Sequence, residues 1–523
     1  MKKIISAIIL LSIFSSCTKD FVKTNRDPNQ ISDELLEQDF NLIGSPFSGL
    51  LFNLFGHQIE EDLCHDAWMG HLHTPTPFTG NVNNTTYYVR WNVYWERVYG
   101  AVMSPSKQVI ELAEEKGQPL FATWAKLIRV LSVSKLTAYH GPVIYSKYGS
   151  SDAVINYDAE PDLYNQFFTD LDAIQTDFAA NVDDKRFAKF DPSYQGNISK
   201  WMKVVNSLRL RLAIRIAKVA PALAKTQGEK AMSDPAGLIE TNADNFNVAQ
   251  LGEKIPFAVI CFEWDDTRMG AVMESFLGGL KDERVSKFFQ PAIGSALYAD
   301  HPAFPYKGIR NGAYLNAKID RVPFSRIAED FKAVTKRRAF TAAEVSFLKA
   351  EAGLRDWAGA GDAKTNYENG VRLSFADWGA GGVDAYLADN TSKPWDYVDP
   401  LDARNNFTSL STVTVAWNEA DSKELKLEKI VTQKWVNNYT NSLETWVDYR
   451  RTGYPKIPPV AKNDSSPDWG VIPANGSIKR MPFLNSERTG NAAGVADAVT
   501  KMGPGAKDDI ATRLWWDTGG PNF

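Results

Sequence analysis

Cysteine is almost missing from this chain, with three in 523 residues, at positions 17, 64 and 261. That excludes a disulfide-built scaffold, and without any CxxC pair there is no ready structural zinc clasp. HExxH, GxSxG and a glycine-rich phosphate loop are absent as well, which removes the usual signatures of zinc hydrolysis, serine hydrolysis and nucleotide binding. No basic block occurs. Acidic and basic residues are interspersed at a net charge of −5, which argues against a nucleic-acid surface. Beyond the first residues, no apolar run approaches the roughly 18 needed to span a bilayer as a helix.

The first residues carry a specific signal. Lys2 and Lys3 precede an eleven-residue apolar run, Ile4 to Phe14, which is the length of a signal-peptide core. Phe14-Ser15-Ser16-Cys17 then looks like a lipoprotein signal, with Phe14 where leucine is usual and Cys17 as the lipidated mature terminus. An ordinary signal peptide is the alternative. Acyl chains on one cysteine anchor stably because each buried CH2 contributes about 0.8 kcal/mol. The expectation is a body tethered to a membrane. Residues 1–16 are then signal peptide, 17–44 a tether and lead-in, and 45–523 a single domain. Cys64 and Cys261 could pair, but read better as buried free thiols.

Helical periodicity dominates the rest of the chain. The pattern predicts a helix over 45–67, and Leu120, Trp124, Leu127, Ile128 and Leu131 define another. Helical hairpins are expected over about 100–233 and 328–452. Thr341-Ala342-Ala343-Glu344 reads as a capping box opening a helix to about 357, and Asp362 restarts the chain into a second. Loop-rich regions fall at about 68–99, 234–327 and 376–420, with an irregular tail from 453. Trp515 and Trp516 are suited to dock that tail. Strand-like alternation is sparse, so the fold class is mainly α with long ordered loops, and such loops usually have a function.

One stretch invites a metal reading. His57 to His73, HQIEEDLCHDAWMGHLH, holds four of the six histidines, and a helix would place His57, Glu61 and His65 on one face. No general base or second shell is legible there, so the expectation is no metal, no cofactor and no catalysis, with a metal-dependent surface hydrolase as the alternative. A glycosidase pair of carboxylates has no motif either.

Binding chemistry is better represented. Sugar rings lie on tryptophan or tyrosine faces while their hydroxyls pair with polar side chains, and peptides use similar clefts. The candidate ligand-binding residues are Trp68, His71, His73, Tyr87 and Tyr88 in the first aromatic loop, with Asn83 and Asn84 beside them. Trp395 and Tyr397 follow in a later loop. Trp68, Tyr87 and Trp395, flanked by loop residues, are the better candidates for exposure, with a place in the core as the alternative. Trp91 and Trp95, at helical spacing, are expected in the core, and the arginines of 450–455 are expected to satisfy buried helix ends.

Several segments together resemble the SusD/RagB family of outer-membrane nutrient-binding lipoproteins, in its SusD-like branch. They are NRDPN at 25–29, YHGPVIYS at 139–146, WMKVVNSLRLRLAIR at 201–215, KDERV at 281–285, EVSFLKAEAGLRDW at 344–357, YENGV at 367–371, and TQKW with ETWVDYRRTGYPK at 432–456. His140, Pro142 and Glu283 depart from the family pattern. The resemblance implies tetratricopeptide-like helix hairpins in a right-handed superhelical scaffold, with a loop-rich region packed on it. It also implies a lipid-anchored protein facing the cell exterior. Such a protein would deliver a glycan, or alternatively a peptide, to a partner SusC-like TonB-dependent transporter.

Overall fold

The computed structural model describes residues 38–250 and 254–523. The signal segment 1–16, Cys17 and the Asn25–Asn29 motif lie outside these residues, as does most of the 17–44 tether.

The scaffold is helical. A short helix α1 (Pro46–Phe52) precedes α2 (Ser104–Glu115), α3 (Pro119–His140), α4 (Glu160–Ala180), α5 (Ile198–Arg215) and α6 (Pro221–Ser233). Consecutive members of α2 to α6 pack on one another. The second half repeats the arrangement with α7 (Ala342–Leu354), α8 (Ala363–Trp378), α9 (Lys423–Asn437) and α10 (Ser442–Thr452). Only short strands occur among the described residues: β1 (Leu72–His73) pairs antiparallel with β3 (Arg268–Met269), and β2 (Phe246–Ala249) with β4 (Lys336–Phe340). No described helix is long and apolar enough to cross a membrane.

Local chemistry explains the helix ends. The Asp362 carboxylate accepts the Thr365 amide at 2.7 Å to open α8, and Gly379, left-handed at φ 64°, closes it. Gly370 on α8 lets the ring of Phe347 on α7 approach so closely that a Cβ there would lie 2.7 Å from it. Tyr367, Val371 and Phe375 are buried in the same seam.

The two halves are bolted together by α5. Arg211 donates to both oxygens of Glu344 on α7 at 2.9 and 2.8 Å, and Arg215 to both oxygens of Glu444 on α10 at 3.0 and 2.8 Å. All four side chains are buried. Glu344 therefore does not reach back as a capping box would. Thr341 does accept the Glu344 amide at 3.2 Å, but the glutamate is drawn off to the buried guanidinium.

The continuous helix expected over 45–67 is also interrupted. The chain leaves α1 at Asn53 and turns through Gly56, where Glu61 accepts the Gly56 amide at 2.7 Å and Glu60 the His57 amide at 2.8 Å. It resumes as a wide π-helical turn over Glu61–Asp66. Cys64 and Cys261 are buried free thiols, with Cys64 pushed up to about 12 by that burial. Trp516 is fully buried and docks the tail against the body.

Candidate functional site

The break at Gly56 scatters the histidine face. His57 lies against the Trp264 ring, Glu61 pairs with Arg337 at 2.6 Å, and His65 is buried with Nδ1 3.5 Å from Asp66. Among the described residues, no group of three His, Cys, Asp or Glu side chains is placed to hold a metal.

His71 and His73 are not groove residues. The Nε2–H of His71 donates to the Trp435 carbonyl at 2.9 Å while Nδ1 accepts from Ser442 at 2.6 Å. His73 donates from Nδ1 to the Thr74 carbonyl at 2.7 Å and accepts the Gly312 amide on Nε2 at 3.1 Å. Burial pulls both rings down to about 4, so each is a neutral imidazole holding loops together. Asn84 is likewise a loop hub, accepting the Arg90 and Trp91 amides at 2.9 and 3.0 Å.

Trp68 and Tyr87 are 3% and 4% exposed, so the core alternative holds for both. Trp68 donates to the Asn84 carbonyl at 2.8 Å and packs on Trp446 with ring centroids 4.9 Å apart. The structure nonetheless brings both onto the wall of one cleft of about 450 Å³, together with Trp446 and Tyr449 from α10. Tyr88 is exposed on the surface. Trp95 joins the core as expected. Trp91 does not, because it precedes the short helix Tyr94–Val98 and stays half-buried under Arg90.

Trp395 behaves differently. It is half-buried and lies parallel to the His301 imidazole, centroids 3.7 Å apart at 7°, with Phe304 edge-on at 5.4 Å. Gly278 and Gly279 make this placement possible, since a Cβ on Gly278 would sit 2.1 Å from the indole and one on Gly279 2.3 Å from the Lys393 carbonyl. The backbone is pinned too: Ser275 Oγ donates to the Trp395 carbonyl at 2.5 Å, and the Trp395 amide to the Ser275 carbonyl at 3.2 Å.

The Trp395–His301 stack lines an open cleft of about 710 Å³, whose wall also carries Phe304, Tyr306, Glu283 and Asp300. Under it, Lys307 joins Glu274 at 2.8 Å to Asp300 at 3.0 Å. Burial raises the Glu274 carboxyl to about 7 against the pull of Lys307. Arg284, in the KDERV turn, grips Asp282 and holds Ser374 and Gln433 at 2.8 and 2.9 Å, tying the cleft to α8 and α9. Tyr397 is buried beside this floor, its hydroxyl donating to the Gly308 carbonyl at 2.7 Å. It supports the cleft from behind.

Sequence reasoning passed over His301, Phe304 and Tyr306. Their only signal is an aromatic run interrupted by prolines, HPAFPY, in a region without periodicity.

An apolar stack beside carboxylates, on a helical-hairpin scaffold, fits a binding protein of the tetratricopeptide-like helical class. The family model described as SusD-like, Susd and RagB outer membrane lipoprotein, matches residues 23–517, and the chain belongs to that family. Members bind nutrients at the outer membrane and are generally not enzymes. Similar solved structures include a chitin-binding SusD homolog from Flavobacterium johnsoniae, with TM-score 0.85 and 38% identity over 92% of this chain and 100% of that one. A SusD homolog from Bacteroides uniformis has TM-score 0.84 and 34% identity over 91% and 99%. One from Bacteroides vulgatus has TM-score 0.85 and 29% identity over 93% and 99%. No curated protein sequence matches the chain.

Proposed function

We propose that this chain is a surface lipoprotein, anchored through Cys17 and facing the cell exterior, that captures a glycan oligomer and passes it to a SusC-like TonB-dependent transporter. The observation that carries the reading is the Trp395–His301 stack, an apolar platform in an open cleft with Glu283 and Asp300 within the same wall. A pyranose C–H face lies on the platform, and the ring hydroxyls donate to the carboxylates. Binding is non-covalent, and the partner barrel does the transport. The F. johnsoniae relative binds chitin, which makes N-acetylglucosamine oligomers the first ligands to try.

Calorimetry with chitotetraose and a panel of neutral oligosaccharides tests this. Trp395→Ala is expected to weaken the best ligand at least tenfold, equivalent to about 1.4 kcal/mol. His301→Ala is expected to weaken it less. Saturable binding that survives both substitutions unchanged would place the glycan elsewhere.

A further inference from the structure

Next to the Trp68 cleft lies a second cavity of about 520 Å³. Tyr449, Gly453, Asn475, Gly476 and Ser477 line both, so the two adjoin. Their chemistry differs. The cleft is aromatic, whereas the cavity is lined by Arg450, Arg451, Lys479 and Arg513, with no carboxylate in its wall, in a chain whose net charge is −5.

The counterions do not balance these cations. Arg451 has its own partners, Glu351 at 2.6 Å and Asp448 at 3.0 Å. Buried Asp517 pairs with Arg513 and lies 4.0 Å from Lys479. Among the described residues, no carboxylate comes within ion-pair distance of Arg450. Its guanidinium donates to the Ala138, Trp446 and Lys479 carbonyls and lies 3.4 Å from the Trp446 ring centre. Asp517 thus serves both Lys479 and Arg513, and Arg450 feels only the more distant charges of Asp517 and Glu160. Burial pulls Arg450 down to about 9, and burial lowers Lys479 too, with Arg513 and Arg450 adding repulsion. A fixed positive charge in a partly desolvated cavity favours an incoming anion. The Arg513 side chain is 49% exposed and that of Lys479 17%, with the Lys479 ammonium donating to Ser477 Oγ at 3.1 Å on the cavity wall.

We propose that this basic cavity accepts the carboxylate or sulfate group of an acidic saccharide, whose neighbouring ring lies in the Trp68 cleft. Lys479 and Arg513 contact the anion, and Arg450 supplies charge from behind. The site is separate from the Trp395 cleft, although the choice of a saccharide rests on the glycan-binding reading.

The test is calorimetry on the full chain at 50 and 300 mM NaCl. The probes are tetragalacturonate, a chondroitin sulfate tetrasaccharide and chitotetraose as the neutral comparison. At least one acidic tetrasaccharide is expected to bind, and its affinity to fall at least tenfold both in Lys479→Gln/Arg513→Gln and at the higher salt. Trp395→Ala is expected to leave that affinity unchanged. Binding of tetragalacturonate shows that a carboxylate suffices, since chondroitin sulfate carries both carboxylate and sulfate. No binding of either acidic probe, or acidic binding indifferent to the double substitution, overturns the proposal. Acidic binding that depends on Lys479 and Arg513 while no neutral glycan binds supports this cavity and counts against the Trp395 reading alone. Should the double variant fail to fold, Arg513→Gln, at a half-exposed position, is expected to show at least a threefold loss, and an unchanged affinity there overturns the proposal equally.

Discussion

Trp68 and Trp395 have the same side chain in similar surroundings of sequence, yet what stands behind each ring assigns them different work. Trp68 has its indole N–H on the Asn84 carbonyl and its face on Trp446, so it closes a wall of the core. Trp395 leans on glycines and a histidine at the edge of an open cleft. Trp68→Ala is therefore expected to cost about 3 to 5 kcal/mol of stability, as large-to-small changes in a packed core do. A denaturant titration checks this, and an unshifted midpoint would show that the ring is not part of the packed wall. The aromatic content of these loops was legible in the sequence, but its exposure was not. Which ring faces solvent depends on partners hundreds of positions away: His71 is sealed by Trp435 and Ser442, and Tyr397 by Gly308. Period-3.6 patterning reports burial within helices and is silent in loops.

Among the elements, the helices of both halves were readable because an amphipathic stripe and a capping residue are local features. Their joints were not. Glu344 has the position of a capping-box glutamate, and only the fold places Arg211 where it outcompetes the backbone amide. Such buried pairs are costly to break singly, since the survivor is left charged without a partner, and Glu444→Ala is expected to cost about 3 to 5 kcal/mol. The same pairs set a pH dependence. Burial alone would raise Glu351, but Arg451 and Arg355 outweigh it and hold it near about 2, and Arg215 with Arg211 likewise holds Glu444 well below the ordinary glutamate value. Depressed folded values mean that the unfolded chain takes up protons first as acid is added. The stabilisation is complete above pH about 5 and is lost progressively as pH falls from there towards 2. Melting temperatures taken from pH 7 to pH 3 are expected to fall steeply below 5, and Glu351→Gln to flatten that fall. Equal slopes for the two proteins would remove Glu351 from the acid response.

At the scale of the whole molecule, the proposed membrane attachment and the proposed ligand capture are separable. Every residue lining the two aromatic clefts and the basic cavity lies at position 68 or beyond, on a body with one large apolar core from Ile43 to Trp516 and a small satellite cluster of Ile309, Ala313, Leu315 and Phe324. In the proposed reading attachment to the bilayer is through Cys17, which lies outside the described residues. Two acyl chains or more are needed for durable anchoring, because one alone binds only marginally. Cys17→Ala removes the acceptor for all of them at once. The variant is expected to leave the membrane pellet for the soluble fraction and to keep wild-type affinity for whatever oligosaccharide the parent binds, because no cleft residue has changed. Persistence in the pellet after a high-salt wash would mean that the body holds the membrane by a surface of its own. Release accompanied by loss of affinity would mean that the N-terminal segment contributes to the clefts.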